Sequence, residues 1–158
     1  MKIRKTNTIR LIEKENVDYE LRTYEVDESD LSGIKVAPQV GLPAEQVYKT
    51  LVAKGDCTGY LVCVIAVDKE VDFKKLALES SNKRVEMIAV KELLPITGFI
   101  RGGCSPIAMK KKFQTFIDED IKIIDIVAVS AGVRGCQVLL KTKDLINLTD
   151  AKVCSITR

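Results

Sequence analysis

The chain has 158 residues, 46% apolar and 30% charged, with 25 basic against 22 acidic side chains and a net charge of +3. So small an excess excludes nucleic-acid binding by overall charge, which leaves only a local cluster to contact RNA or DNA. The absence of histidine excludes Ser-His and Cys-His nucleophile pairs, HExxH metalloproteases, His-bearing zinc deaminase sites and histidine pH switches.

In chain order, Thr6 to Asn16 reads as a helix with Ile9, Leu11 and Ile12 on its sticky face and Asn16 at a left-handed stop. Tyr19 to Val26 alternates like a half-buried strand. Pro38 limits any helix in Ile34 to Val40 to a short piece, and Pro43 suits the first turn of a helix through Glu45 and Gln46. Val47 to Lys54 and Tyr60 to Val67 flank a glycine-bounded turn, the outline of a hairpin. Its second arm is apolar on both faces and is expected to be a central strand.

Asp72 caps a helix over Phe73 to Ser80, Val85 to Ala89 is a short strand, and Lys91 to Leu94 is a helical turn. A Gly/Pro-rich segment runs from Pro95 to Pro106. Ile123 to Ser130 and Cys136 to Lys141 form a second hairpin, followed by a helix over Thr142 to Leu148 and a strand over Ala151 to Ile156. Hairpins with irregularly interspersed helices indicate an α+β fold, and the even spread of turn residues indicates one domain over residues 1–158.

The five cysteines form no CxxC pair and read as free thiols in a reducing compartment. The basic start, Met1 to Thr6, has no apolar stretch behind it and is not expected to be a signal peptide. The longest apolar run, Tyr60 to Val67, is too short to span a bilayer. These features predict a soluble, cytoplasmic protein without membrane contact.

Chemistry is concentrated in three places. In Thr97 to Pro106, the paired Gly102 and Gly103 let backbone approach a ligand and aim N–H groups at an anion or an ester carbonyl, with Cys104 and Ser105 beside them. A plain surface turn is the competing reading, and Lys110 to Lys112 are either phosphate contacts or a solvated face. In Val129 to Gly135, Ser130 and Arg134 offer a hydroxyl and a guanidinium at the end of an apolar strand, or an ordinary hairpin turn. Lys49 and Thr50 stand where a helix hands over to a strand, as ligands of an ester or phosphate oxygen or as surface groups. Cys104 lacks a histidine to activate it as a nucleophile.

Four stretches taken together are similar to one family: Thr23-Tyr24-Glu25; Gly41-Leu42-Pro43 through Leu51; Thr97-Gly98-Phe99 through Pro106; and Val129-Ser130 through Arg134-Gly135. Their order and spacing, with Asp72 to Ala77 and Ile117-Asp118 between them, resemble the YbaK/EbsC family. These are free-standing relatives of the editing domain inserted in bacterial prolyl-tRNA synthetases. The resemblance implies a mixed, largely antiparallel, barrel-like sheet surrounded by helices. It also implies trans-editing, the deacylation of Cys-tRNA(Pro) and by extension Cys-tRNA(Cys). The substrate thiol attacks its own ester and leaves a cyclic thioester, a lyase-type step, so no cofactor and no metal are needed.

By position, the resemblance places Lys49, Gly102 and Ser130 in the catalytic set. It places Tyr24, Thr50, Gly103, Ser105 and Arg134 around the substrate, with Arg134 buttressing the turn. The implied partner is mischarged tRNA, with prolyl-tRNA synthetase as a candidate helper and no role for DNA. Three positions depart from the family pattern: Leu31 and Ser32 replace an aromatic residue, Gln137 replaces an acid, and Pro38 interrupts a helix. The alternatives are an Ala-tRNA(Pro) deacylase, a non-catalytic tRNA- or synthetase-binding module, and a Cys104-based redox or acyl-transfer enzyme.

Overall fold

Thr6 opens the first helix, α1 (Asn7–Lys14), by accepting the Ile9 N–H on its hydroxyl at 3.2 Å. The computed structural model describes residues 5–158; Met1–Arg4, part of the start read as no signal peptide, lies outside them. Helix α1 buries Ile9 and Ile12 and stops at Asn16, whose φ of 57° is the expected left-handed turn. Two hydroxyls at its start reach distant loops. Thr6 Oγ1 donates to the Ala131 carbonyl, and Thr8 Oγ1 donates to the Ile107 carbonyl at 2.9 Å.

The strands form two sheets. Strands β1 (Tyr19–Thr23), β7 (Cys136–Lys141) and β6 (Ile126–Ser130) make an antiparallel three-stranded sheet in the order β1-β7-β6. The second sheet has the order β4-β2-β3-β5-β8, from β2 (Tyr48–Gly55), β3 (Gly59–Ala66), β4 (Val85–Met87), β5 (Gln114–Asp118) and β8 (Lys152–Cys154). Both predicted hairpins are present, and β3 is the central strand, buried from Leu61 to Ala66. Among the described residues, the sheets meet at a single parallel bridge, Val47 to Ala128, rather than through a continuous ladder. The fold is therefore α+β with mixed, mostly antiparallel pairing, but the barrel is not closed.

Several segments differ from the sequence reading. Strand β5, which the sequence pattern does not predict, pairs parallel to β3 and β8. After it, Asp118 caps a 3-10 turn over Glu119–Ile123 by accepting the Asp120 N–H, so Ile123 is 90% exposed rather than the start of β6. Helix α4 (Val90–Thr97) runs through Pro95 and ends at Gly98, whose φ of 85° accommodates the left-handed cap. The helix expected from Pro43 is only a 3-10 turn, Ala44–Gln46, because Val47 already joins the inter-sheet bridge.

The remaining helices are α2 (Val36–Gln39), cut short as Pro38 predicts, α3 (Phe73–Glu79), capped by Asp72, and α5 (Thr142–Thr149). Among the described residues, no helix is long and apolar enough to cross a membrane. One detail of the sheet positions the site. β4 covers the outer edge of β2 only over Ala53–Gly55, so among the described residues Lys49 to Leu51 have no strand on that side.

Candidate active site

That uncovered edge forms one wall of a cavity of about 580 Å³. The site residues brought together there come from four distant stretches: Tyr24 after β1, Lys49 and Thr50 on β2, Gly102 in the loop after α4, and Ser130 at the end of β6. Leu31, Ser32 and Gln137, the positions that depart from the family pattern at the pocket, also line it.

The walls hold polar groups without partners. Among the described residues, Lys49 makes no ion pair, and the side-chain oxygens of Tyr48, Thr50 and Gln137 are buried without a hydrogen bond. Buried polar atoms are normally paired, since each unpaired one costs roughly 1–3 kcal/mol. All three residues line the cavity, although the oxygens themselves have no exposed surface. Gln137 faces Ser130 across the β6–β7 ladder. The Ser130 hydroxyl accepts the Gly132 N–H at 3.1 Å, which leaves its own hydrogen free to donate. Burial holds the Tyr48 hydroxyl protonated well above its ordinary range.

Three residues expected around the substrate stand outside the walls of the main cavity, Arg134 as the buttress of the turn that the resemblance also implies. Ser105 is fully buried outside the cavity walls, and its hydroxyl accepts the Ile107 N–H at 3.1 Å. Gly103 is also outside those walls, and its N–H donates to the Ile100 carbonyl at 2.9 Å. Arg134 donates from Nε to the Arg101 carbonyl at 2.8 Å and lines an adjoining recess of about 70 Å³, so it buttresses the loop rather than reaching the main cavity. Lys110 to Lys112 stand outside the cavity walls, with Lys112 3.4 Å from Asp150.

The two glycines of the loop differ in purpose. Gly102 has φ of 84°, a backbone shape that other residues adopt only with strain. A Cβ on Gly103 would lie 2.9 Å from the Arg134 nitrogen and 3.0 Å from the Val133 carbonyl carbon. Those atoms are backbone and cannot rotate away. Gly103→Ala is therefore expected to lower Tm by about 3–10 °C, an overpacking cost of about 1–3 kcal/mol, checked by thermal denaturation.

The cavity wall carries a thiol, a serine hydroxyl and two carboxylates, but no histidine to activate a nucleophile. Cys104 is in its wall, but burial pushes its thiol up to about 12, so the thiolate is absent at neutral pH. The wall carboxylates are Asp68 and Glu70. Among the described residues, no three His, Cys, Asp or Glu side chains cluster to hold a metal.

Residues 32–148 match the aminoacyl-tRNA editing domain family. The chain belongs to that family. EbsC of Enterococcus faecalis, provisionally named a Cys-tRNA(Pro)/Cys-tRNA(Cys) deacylase, is 42% identical over 153 residues, covering 97% of this chain and 93% of that protein. The Escherichia coli K12 protein named multifunctional Ser/Thr-tRNA deacylase ProXp-y is 23% identical over 155 residues, covering 95% and 90%. A solved structure described as a candidate trans-editing enzyme for prolyl-tRNA synthetase shares the fold, with a TM-score of 0.82 at 21% identity over 96% of this chain and 95% of that one.

The open barrel and the cavity are thus features of an aminoacyl-tRNA editing domain. The family likeness in the sequence points to Lys49, Thr50, Gly102 and Ser130. It does not point to the apolar wall that Met87, Ile88, Val90 and Leu93 supply, because apolar residues carry no mark of cavity membership. Tyr48 escapes sequence reasoning for a similar reason, since its strand position reads simply as core.

Proposed function

We propose that this editing domain is a trans-editing aminoacyl-tRNA deacylase that removes cysteine from proline tRNA, and from cysteine tRNA as a second substrate. The carrying observation is the cavity, which holds Lys49 without an ion pair among the described residues, a serine hydroxyl with no histidine to activate it, and a thiol kept protonated by burial. Such a site suits a substrate that brings its own nucleophile.

In the reaction we envisage, the cysteinyl thiol loses its proton to water and its sulfur attacks the ester carbonyl carbon. The new C–S bond closes a cyclic thioester as the C–O bond to the ribose breaks, and the departing oxygen takes a proton. Water then opens the thioester to free cysteine. The first step alone is of the lyase type, and the two together are a net hydrolysis. Lys49 offsets charge on the reacting oxygens, and the Gly102 backbone, in the wall of the same cavity, shares that role. Tyr24, Thr50, Ser130 and Gln137 hold the aminoacyl group folded on itself.

The whole chain, residues 1–158, acts as one editing unit in this reading. It works in the cytoplasm, where tRNA is charged, with prolyl-tRNA synthetase as the partner that presents it. The test is release from Cys-, Ala-, Ser- and Pro-tRNA(Pro) by the purified protein. Fast release of cysteine alone is expected. Preferential release of alanine identifies the other editing specificity, and binding without release from any of them identifies a non-catalytic module. Cys104→Ala is expected to retain deacylation within about threefold, since a thiol held protonated supplies no nucleophile. Abolished activity in that variant would move the chemistry to Cys104.

A further inference from the structure

Lys110 to Lys112 lie outside the cavity, and the reaction makes no use of them. The second sheet brings other cations to the same end of the molecule. Lys54 on β2 pairs with Glu86 on β4 and with Tyr60 on β3, and the β3–β5 register sets Phe113 beside Tyr60. These four positions form one row, about 14 Å wide, across the hairpin end of the sheet. Val52 and Val62, the next pair inward on the same face, belong to the core, so the row is its rim. Asp56 at the hairpin tip accepts the Lys83 and Arg84 N–H groups at 3.0 and 3.2 Å, which adds two more cations.

Six exposed cations therefore share this rim: Lys54, Lys83, Arg84 and Lys110 to Lys112. Three carboxylates accompany them, Asp56, Glu86 and Asp150. Among the described residues, the six make one ion pair, Lys112 to Asp150 at 3.4 Å, and both of its side chains are largely exposed. The local excess equals the +3 of the whole chain, so the charges of the remaining residues cancel in sum. Like charges gathered without partners repel one another, and a polyanion relieves that repulsion.

The aromatic pair in the row holds one of these cations in place. Tyr60 and Phe113 meet edge to face, with ring centroids 6.3 Å apart at 81°, and the Lys54 ammonium lies over the Tyr60 ring, 5.4 Å from its centre. The surface thus presents point charges, which suit the phosphates of a nucleic-acid backbone rather than its bases. Position agrees with this chemistry, because rim and cavity share β4 and α4. Met87 and Ile88 line the cavity directly after Glu86 in the rim. The Lys110 N–H donates at 2.9 Å to the carbonyl of Thr97, which ends α4, and Val90 and Leu93 of that helix line the cavity.

Resting on the deacylase reading, we infer that this rim grips the phosphodiester backbone of the tRNA stem, outside the reaction site and without reading sequence. The probe is uncharged proline tRNA, titrated into the full-length protein at several salt concentrations. Replacing Lys54, Lys110, Lys111 and Lys112 together by Gln is expected to raise its Kd by about tenfold or more and to flatten the slope of log Kd against log salt by about 3. The KM for Cys-tRNA(Pro) should rise alongside. Lys111→Gln alone, at an exposed position with no ion pair among the described residues, should raise Kd about twofold to threefold. The control makes the same charge change at four exposed lysines on other elements, Lys14, Lys74, Lys122 and Lys143, and is expected to alter Kd by less than about threefold.

Equal losses in the two quadruple variants would assign the affinity to overall charge and overturn the rim. Unchanged tRNA affinity, or a salt slope that the rim variant leaves as steep as before, overturns it as well. If that variant keeps tRNA affinity and instead loses affinity for a synthetase, the surface is a protein contact and the inference fails. The two readings fail separately. A protein that binds tRNA through these lysines but releases no amino acid overturns the deacylase alone. One that releases cysteine with the same KM in the wild type and the rim variant overturns the rim alone.

Discussion

Serine placed on the same proline tRNA is expected to be released at least about 100-fold more slowly than cysteine, because its hydroxyl is a far weaker internal nucleophile than a thiol. The two side chains differ by one atom and fill nearly the same space, so a pocket that recognised shape would treat them alike. A cysteine thiol titrates near 8.5, which leaves a few per cent as thiolate at neutral pH, whereas a serine hydroxyl stays protonated. Cysteine release should also quicken from about pH 6.5 to about pH 8 as the substrate thiol ionises. Single-turnover rates on matched Cys- and Ser-tRNA(Pro) check both points. Equal rates would remove the substrate sulfur from the mechanism. They would move this domain toward the chemistry named for its Escherichia coli relative, the Ser/Thr-tRNA deacylase.

Lys49→Ala is expected to reduce kcat/KM for Cys-tRNA(Pro) by about 100-fold or more, the usual cost of removing one electrostatic partner of a reacting oxygen. Tm should move by no more than about 2 °C, because the ammonium makes no ion pair among the described residues for its loss to break. Lys49→Arg keeps the charge but alters its shape, and should recover part of the rate. A large fall in Tm with Lys49→Ala would instead assign the side chain to the packing between β2 and the Gly33 turn. There a Cβ on Gly33 would lie 4.0 Å from Lys49 Cβ.

Local chemistry makes the hairpins legible in the sequence. Gly55 and Gly59 bracket a turn between two strands of similar length, and Gly132 and Gly135 do the same between β6 and β7. The helix starts at Thr6 and Asp72 are legible because their side chains accept the N–H groups that the first turn leaves unpaired. Strand β5 is not legible. It is short, buried over most of its length, comes after a run of lysines, and gains its identity only from β3 and β8 beside it.

Pro95 reads in the sequence as the end of a helix. Its missing N–H removes only the bond to the carbonyl of Lys91, an exposed residue within reach of water, so α4 continues to Thr97. In the site, Tyr24, Lys49, Thr50 and Ser130, which line the cavity, are legible through the motifs that carry them. Ser105 and Gly103 are not separable from them, since whether a loop residue faces a ligand or its own neighbours depends on packing from far along the chain.

The hydroxyls of Thr6 and Thr8 give α1 a reach well beyond its own length. One holds the Ala131 turn and the other the Ile107 loop, and a Cβ on Gly132 would press 2.7 Å from Thr8 Oγ1. The segments carrying Ser130 and Gly102 are thereby fastened to the same short rod. Fraying of that rod should release both at once, so amide protons in 104–107 and 131–132 should exchange in step with those of α1, as one cooperative unit below the global unfolding limit. Catalytic readiness would then fade on warming before the sheets come apart.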